Sequence, residues 1–177
     1  MRDLITDLLE SERLAQRHQA LNLEALDWRA LLTQAVQGCA RPDTVHLSLE
    51  GPIPASLGDR TRLSLLLRNL IDNALRHGAG TPVEVHGACT AQAVTLTVRD
   101  HGPGVTAEQL AHLAEPFYRT DAARGRATGG VGLGLHLCRL VAEAHGGTLQ
   151  FARTEPGLKA IVTLPVMAAQ SAGPASA

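Results

Sequence analysis

The sequence predicts an α+β fold, a two-layer sandwich in which about three helices cover one face of a mixed sheet of about five strands. Three observations carry this reading. One long segment sets Leu63, Leu66, Leu67, Leu70, Ile71 and Ala74 on a single helical face. Paired segments at 83–88 and 94–99, and again near 148–153 and 159–164, alternate apolar and polar residues as half-buried strands do. Helices and strands are also grouped in runs, which favours segregated layers over a strict βαβ alternation.

Residues 1–18 read as a helix with an apolar stripe of Leu4, Ile5, Leu8 and Leu9, beginning at Met1 with no cap before it. Asp27 is placed to cap a helix from Trp28 to Gln37, and Gly38 ends it. Val45, Leu47 and Leu49 alternate as a strand, and Gly51, Pro52 and Pro54 break the chain after it. Asp59 caps the long helix, with Gly78 expected as its left-handed C-terminal residue. Burying each large side chain of that helix contributes about 1.5–3 kcal/mol before entropy is counted. Thr106 and Gln109 form a capping box that opens a short helix. A Gly- and Arg-rich loop near 119–131 leads into a helix over 132–144, which Gly146 and Gly147 stop. The expected division is therefore a helical segment at 1–18, one domain at 19–166 and a disordered Ala/Ser/Gly/Pro tail at 167–177.

Composition narrows the function. A 177-residue chain that is 45% hydrophobic can bury a full core, and with 2% aromatic residues that core must be Leu, Val, Ile and Ala. The net charge of −1 gives no electrostatic reason to expect nucleic acid as a partner. The 3 cysteines include no C-x-x-C pair and read as free thiols in a reducing compartment. No apolar run reaches the ~20 residues that span a bilayer. The 8 histidines show no metal-ligand spacing.

Four segments carry the chemistry. On the long helix Asn69, Asn73 and Arg76 share one stripe beside the leucines. Asn is a mediocre helix former, so two on one line ask for a reason. A solvated polar face is one reading; carboxamide ligands to Mg²⁺, with Arg76 facing phosphates, is the other. Asp100 ends a strand before His101-Gly102-Pro103-Gly104, where it can accept from an exocyclic amine or simply make an Asx turn. Gly129, Gly130, Gly132 and Gly134 open a helix, and free N–H groups at a helix start bind phosphate. The segment has neither a Walker lysine nor Rossmann spacing. Phe117 reads as an anchor of its loop to the core, followed by Arg119, Arg124 and Arg126 in a stretch able to close over a triphosphate.

Together the segments Asn69–Asn73, Asp100–Gly104, Glu115–Arg119 and Gly130–Leu135 resemble the N, G1, F and G2 boxes of the catalytic domain of sensor histidine kinases, within the gyrase-like (Bergerat-type) ATP-binding folds. Gly58-Asp59 and His145-Gly146-Gly147-Thr148 also fit, so the resemblance runs from about Leu23 to Pro165. It implies Mg²⁺ and ATP as cofactors. Asn73 would be the Mg²⁺ ligand, helped by Asn69, with Arg76 at the phosphates and His77 stacked on adenine. Asp100 would bind the adenine amine in a pocket shaped by Gly102, Gly104 and Val105. Phe117 and Arg119 would belong to the ATP lid, and Gly130, Val131, Gly132, Leu133, Gly134 and Leu135 would wrap the phosphates. Val131 departs from the Ser or Thr often found there. Nothing resembles the H box, and residues 1–18 look like the tail of the dimerisation and phosphoacceptor domain.

Hydrolytic relatives carry a Glu where this chain has Asn69, and an amide is no base. The resemblance therefore implies transfer of the γ-phosphoryl group to a histidine outside this chain rather than to water, since neutral imidazole is nucleophilic near pH 7. The implied partners are the phosphoacceptor and dimerisation domain of the same kinase and a response regulator. The full-length protein would be a homodimer, this piece a monomer, and the location cytoplasmic on a parent that the inner membrane can anchor. Two alternatives share the boxes: an anti-sigma-factor-type serine kinase, and a nucleotide-binding module without catalysis.

Overall fold

The computed structural model describes residues 21–51, 56–119 and 132–167. The expectations for the helix at 1–18, for Arg124, Arg126, Gly129, Gly130 and Val131, and for the tail after Met167 lie outside the described residues. Helices α1 (Trp28–Gln37), α2 (Arg60–His77), α3 (Ala107–His112) and α4 (Gly134–Ala144) combine with strands β1 (Glu24–Leu26), β2 (Val45–Glu50), β3 (Ser56–Gly58), β4 (Val83–Cys89), β5 (Ala93–Arg99), β6 (Thr148–Arg153) and β7 (Leu158–Pro165). Five strands form one sheet in the order β2-β4-β5-β7-β6. Only β2 and β4 run parallel, with Val45 opposite Val83, and α2 provides the crossover that a parallel pair requires. The other pairs are antiparallel, with Val98 opposite Ala160 and Leu149 opposite Val162. The mixed sheet and its helical cover are those read from the pattern.

Because side chains alternate across a strand, one face of the sheet is apolar and the other polar. Val83, Val85, Val94, Leu96, Val98, Ala160, Val162 and Leu164 point inward and are buried. The opposite face carries Glu84, His86, Thr95, Thr97 and Arg99, with Ser48 Oγ 2.9 Å from His86 Nδ1. Against the apolar face α2 lays Leu63, Leu66, Leu67, Leu70, Ile71 and Ala74, all buried as the helical stripe predicts. Leu137, Cys138, Val141 and Ala142 of α4 and Leu31 and Leu32 of α1 complete the core.

The expected caps are present. Asp27 accepts from the N–H of Ala30, Asp59 from that of Arg62, and Thr106 and Gln109 exchange both bonds of a capping box. Two ends differ from expectation. Gly78 is not left-handed (φ −71°); the positive φ falls on Ala79 (52°), and Gly78 is needed because a Cβ there would sit 2.8 Å from the carbonyl oxygen of Ala74. Helix α4 starts at Gly134 rather than at 132, because Gly132 has φ 85° and cannot be helical. The short β1–β3 pair was not legible in the sequence: three residues on each side are too few for alternation to register. Met167, expected in the tail, is instead tied to β3, its carbonyl accepting from Leu57 at 2.9 Å.

Leu66 is fully buried between α4 and the sheet. Leu66→Ala is expected to lower the unfolding free energy by about 2–5 kcal/mol, whereas Thr106→Ala at the exposed cap of α3 costs about 0.5–2 kcal/mol. Urea denaturation of both variants checks the order.

Candidate nucleotide site

Helix α2 is the shared wall of the candidate site, and both the start of α4 and the turn after β5 lean on it. Asn69 and Asn73 are half-buried on the stripe beside the leucines, with Arg76 exposed in the last turn. At its middle α2 meets the start of α4: a Cβ on Gly134 would lie 3.6 Å from the Asn69 carboxamide, an ordinary van der Waals contact, so the helix start packs directly beside Asn69. At its end α2 meets the turn after β5. A Cβ on Gly102 would collide with the carbonyl of His77, and its space is filled by the backbone of His77 and Gly78. Asp100, 4% exposed, fixes this turn by accepting from the N–H of Gly102 at 2.9 Å through Oδ1.

The glycines are therefore not interchangeable. Gly104 does turn the chain at positive φ (71°), as a sharp bend requires, and abuts Gly157. Gly102 serves close packing against α2 rather than an open approach to a ligand. Gly157 is a residue the sequence reading missed: it has φ 103°, and a Cβ there would run into the carbonyl of Asp100. Its one signal, a glycine after a proline between two strands, is that of any hairpin.

Phe117 is the clearest correction. It is 61% exposed and does not anchor its loop to the core. Its φ of 64° turns the side chain outward, while its N–H donates to the carbonyl of Gly132 at 3.0 Å and stitches the F-box segment to the start of α4. Tyr118, half-buried, packs its ring against His112 instead. Arg119 and Val105 are half-exposed nearby in sequence, and His77 is half-buried at the end of α2. Leu133 is buried, so it offers the site its backbone alone, and Leu135 packs partly on the core.

Two features distinguish the Asn69–α4 junction. The Nδ2 of Asn69 is buried and has no hydrogen-bond partner. An unsatisfied buried donor costs about 1–3 kcal/mol. Beside it, Leu133 precedes α4 at the N-cap position and provides no side-chain cap, whereas α1, α2 and α3 are each capped by an Asp or Thr. The first turn of a helix carries free N–H groups and the positive end of the dipole, a setting that favours anions. On the same helix as Asn69, Asp72 is partly buried between Arg68 and Arg76; desolvation raises its carboxyl pKa above the usual range, and the two arginines oppose the shift. Among the described residues no cluster of three or more His, Cys, Asp or Glu could hold a metal ion.

Asn69→Ala removes the orphaned donor and installs a better helix former. It is expected to leave stability unchanged or raise it by up to about 1 kcal/mol, against the usual loss for a half-buried position. Gly102→Ala is expected to destabilise measurably. Thermal melts of the two variants test the assignment of one residue to ligand and the other to packing.

The family described as histidine kinase-, DNA gyrase B-, and HSP90-like ATPase matches residues 58–168. The histidine-protein kinase AfsQ2 of Streptomyces coelicolor is 37% identical over 164 residues, spanning 93% of this chain and 30% of that protein. CpxA of Escherichia coli is 35% identical over 171 residues, 92% of this chain and 36% of its own length. BaeS of Escherichia coli is 40% identical over 125 residues, 68% of this chain and 27% of its length. The chain thus spans about a third of the curated relatives it matches. Among solved structures, full-length ShkA in complex with AMPPNP superposes with a TM-score of 0.80 at 26% identity, covering 94% of this chain and 36% of that one. The Acinetobacter baumannii histidine kinase AdeS superposes at 0.74 and 24% identity over 93% of this chain and 78% of that one, a likeness of fold. On the family match and the arrangement of its motifs around α2, the chain belongs to the histidine kinase-, DNA gyrase B- and HSP90-like ATPase family, as a catalytic ATP-binding domain of the bacterial sensor histidine kinase type.

Proposed function

We propose that this chain binds Mg²⁺-ATP between α2 and the start of α4 and presents the γ-phosphoryl group to a histidine on a phosphoacceptor domain of the same kinase, from which a response-regulator aspartate takes it. The observation that carries this reading is the buried, unpartnered carboxamide of Asn69 beside the uncapped first turn of α4. The residues fit a hard cation and a polyphosphate, since amide oxygens suit Mg²⁺ and a free helix start suits phosphate. Asn73 and Asn69 would hold the ion, which when bound neutralises charge on the phosphate oxygens.

The chain's own groups do the rest. Free N–H groups of the first turn of α4 hold phosphate oxygens, and Arg76 adds positive charge from the last turn of α2. The Asp100 carboxylate, held in place by the N–H of Gly102, accepts from the exocyclic amine of adenine, beside His77. Asn69 positions and does not act as a base, so water is not activated here and an imidazole, nucleophilic in its neutral form, is the acceptor that needs no base from this domain. No helix among the described residues is long and apolar enough to cross a membrane. The reading puts this domain in the cytoplasm, as part of a homodimeric parent.

Asp100→Asn keeps an oxygen for the Gly102 N–H but offers an amide to the adenine amine. Loss of one charge-assisted bond is worth about 1.5–3 kcal/mol, so affinity for a non-hydrolysable ATP analogue is expected to fall about 10- to 100-fold with the melting temperature unchanged. Asn73→Ala is expected to abolish the dependence of binding on Mg²⁺. Calorimetry with and without Mg²⁺ measures both, and absence of saturable binding by the wild-type chain would overturn the reading. With the acceptor helices supplied, label from γ-phosphate should be acid-labile and alkali-stable, as on histidine; acid-stable label would indicate serine.

A further inference from the structure

His145 lies just beyond the last residue of α4 and is 4% exposed. Its Nδ1 is 2.8 Å from the carbonyl oxygen of Val141, and its Nε2 is 3.0 Å from the backbone nitrogen of Asp59, 86 positions away in sequence. A carbonyl only accepts and an amide N–H only donates. The ring must therefore carry its proton on Nδ1 and a lone pair on Nε2. Asp59 in turn caps α2 by accepting from the N–H of Arg62 at 3.0 Å, and accepts from the N–H of Asn22 at 3.1 Å. One imidazole thus joins the end of α4 to the beginning of α2.

The two helices are antiparallel, and the candidate site is at the other end of their contact. Asp59 is ten positions before Asn69 on α2, and His145 is eleven positions after Gly134 on α4. At 1.5 Å per residue the two paths are about 15 and about 16.5 Å long. Asn69 meets Gly134 at one end, Cys138 Sγ lies 3.4 Å from the Leu66 carbonyl oxygen between, and His145 meets Asp59 at the other end. A slide or tilt of α4 on α2 is opposed by the directional bond at the His145 end. Leucine packing between the helices is less specific about register.

We propose that His145 is a positioning residue for the nucleotide site: by clasping Asp59 it sets the alignment of α4 on α2 in which the start of α4 meets Asn69. The inference rests on the nucleotide reading of that site. The clasp holds only with a neutral ring, because a proton on Nε2 would face the Asp59 N–H donor to donor.

Burial lowers the ring's pKa below its ordinary value of 6.5. The Val141 carbonyl and the Asp59 carboxylate oppose the shift, while Arg62 adds to it. Asp59 and Arg62 are the charged groups facing the ring from α2, and they pair with one another at 3.6 Å. The unfolded chain therefore takes up this proton before the folded one does. The clasp's contribution to stability is complete above pH 6.5 and is lost as pH falls from there through the lower pKa of the folded ring.

The test compares wild type with His145→Gln and His145→Ala, each first shown to be folded by circular dichroism. Dissociation constants for a non-hydrolysable ATP analogue with Mg²⁺ are measured from about pH 8 downward through the ordinary histidine value of 6.5 to the lowest pH at which all three proteins remain folded. Titration of the ligand's own phosphates is common to all three proteins and cancels in the ratio. Gln can accept from the Asp59 N–H and does not titrate. The expected result is that His145→Gln binds as wild type does at the alkaline end, and that wild type alone loses affinity several-fold further on acidification. His145→Ala should bind more weakly throughout. Parallel pH curves for wild type and His145→Gln, with His145→Ala as tight as wild type, overturn the inference and leave the nucleotide reading standing. No saturable binding by wild type at the alkaline end overturns both.

Discussion

The structure depends on the burial of one face of α2. Its leucines lie between the sheet and α4, and three junctions are referred to the same helix: Asn69 to the start of α4, His77 and Gly78 to the turn after β5, Asp59 to the end of α4. A helix whose apolar stripe is locked cannot rotate its polar stripe, so core packing and site geometry are one constraint. This is how Asn69 and Asn73, mediocre helix formers, are held at fixed positions beside the core rather than fraying into solvent.

Local stability is given up at the site and recovered elsewhere. Three helices are capped by side chains, but the one that meets Asn69 is not, and Asn69 keeps a buried donor without a partner. A fold optimised only for stability would fill both gaps, and each is worth about 1 kcal/mol or more. Against that loss stands a core of Leu, Val and Ala in which many side chains are fully buried, with Trp28 placed where its Nε1 donates to Ser56 at 2.8 Å. A buried donor without a partner beside an uncapped helix start is a combination that a polar ligand would satisfy.

Two turns are held by backbone contact rather than by side chains. Gly102 lies against His77 and Gly78, and Gly157 against Asp100, so the turn after β5 is wedged between the end of α2 and the β6–β7 hairpin. Substitutions there would move Asp100 as a unit with its turn. The carboxylate's position is thus set by backbone packing around its turn.

By itself the sequence determined the layers, the one-sided sheet, the caps at Asp27, Asp59 and Thr106, and the stripe carrying Asn69 and Asn73. These arise from periodicities of 3.6 and 2 and from local side-chain chemistry, which act within a few residues. The tertiary structure alone decided what depends on segments distant in sequence. It paired β1 with β3, assigned Gly102 and Gly157 to backbone contacts, put the positive φ on Ala79 instead of Gly78, and turned Phe117 outward. It also joined His145 to Asp59. A glycine's reason for being glycine, and a buried histidine's tautomer, lie in the neighbour brought against it, and that neighbour is chosen by the packing of the whole chain.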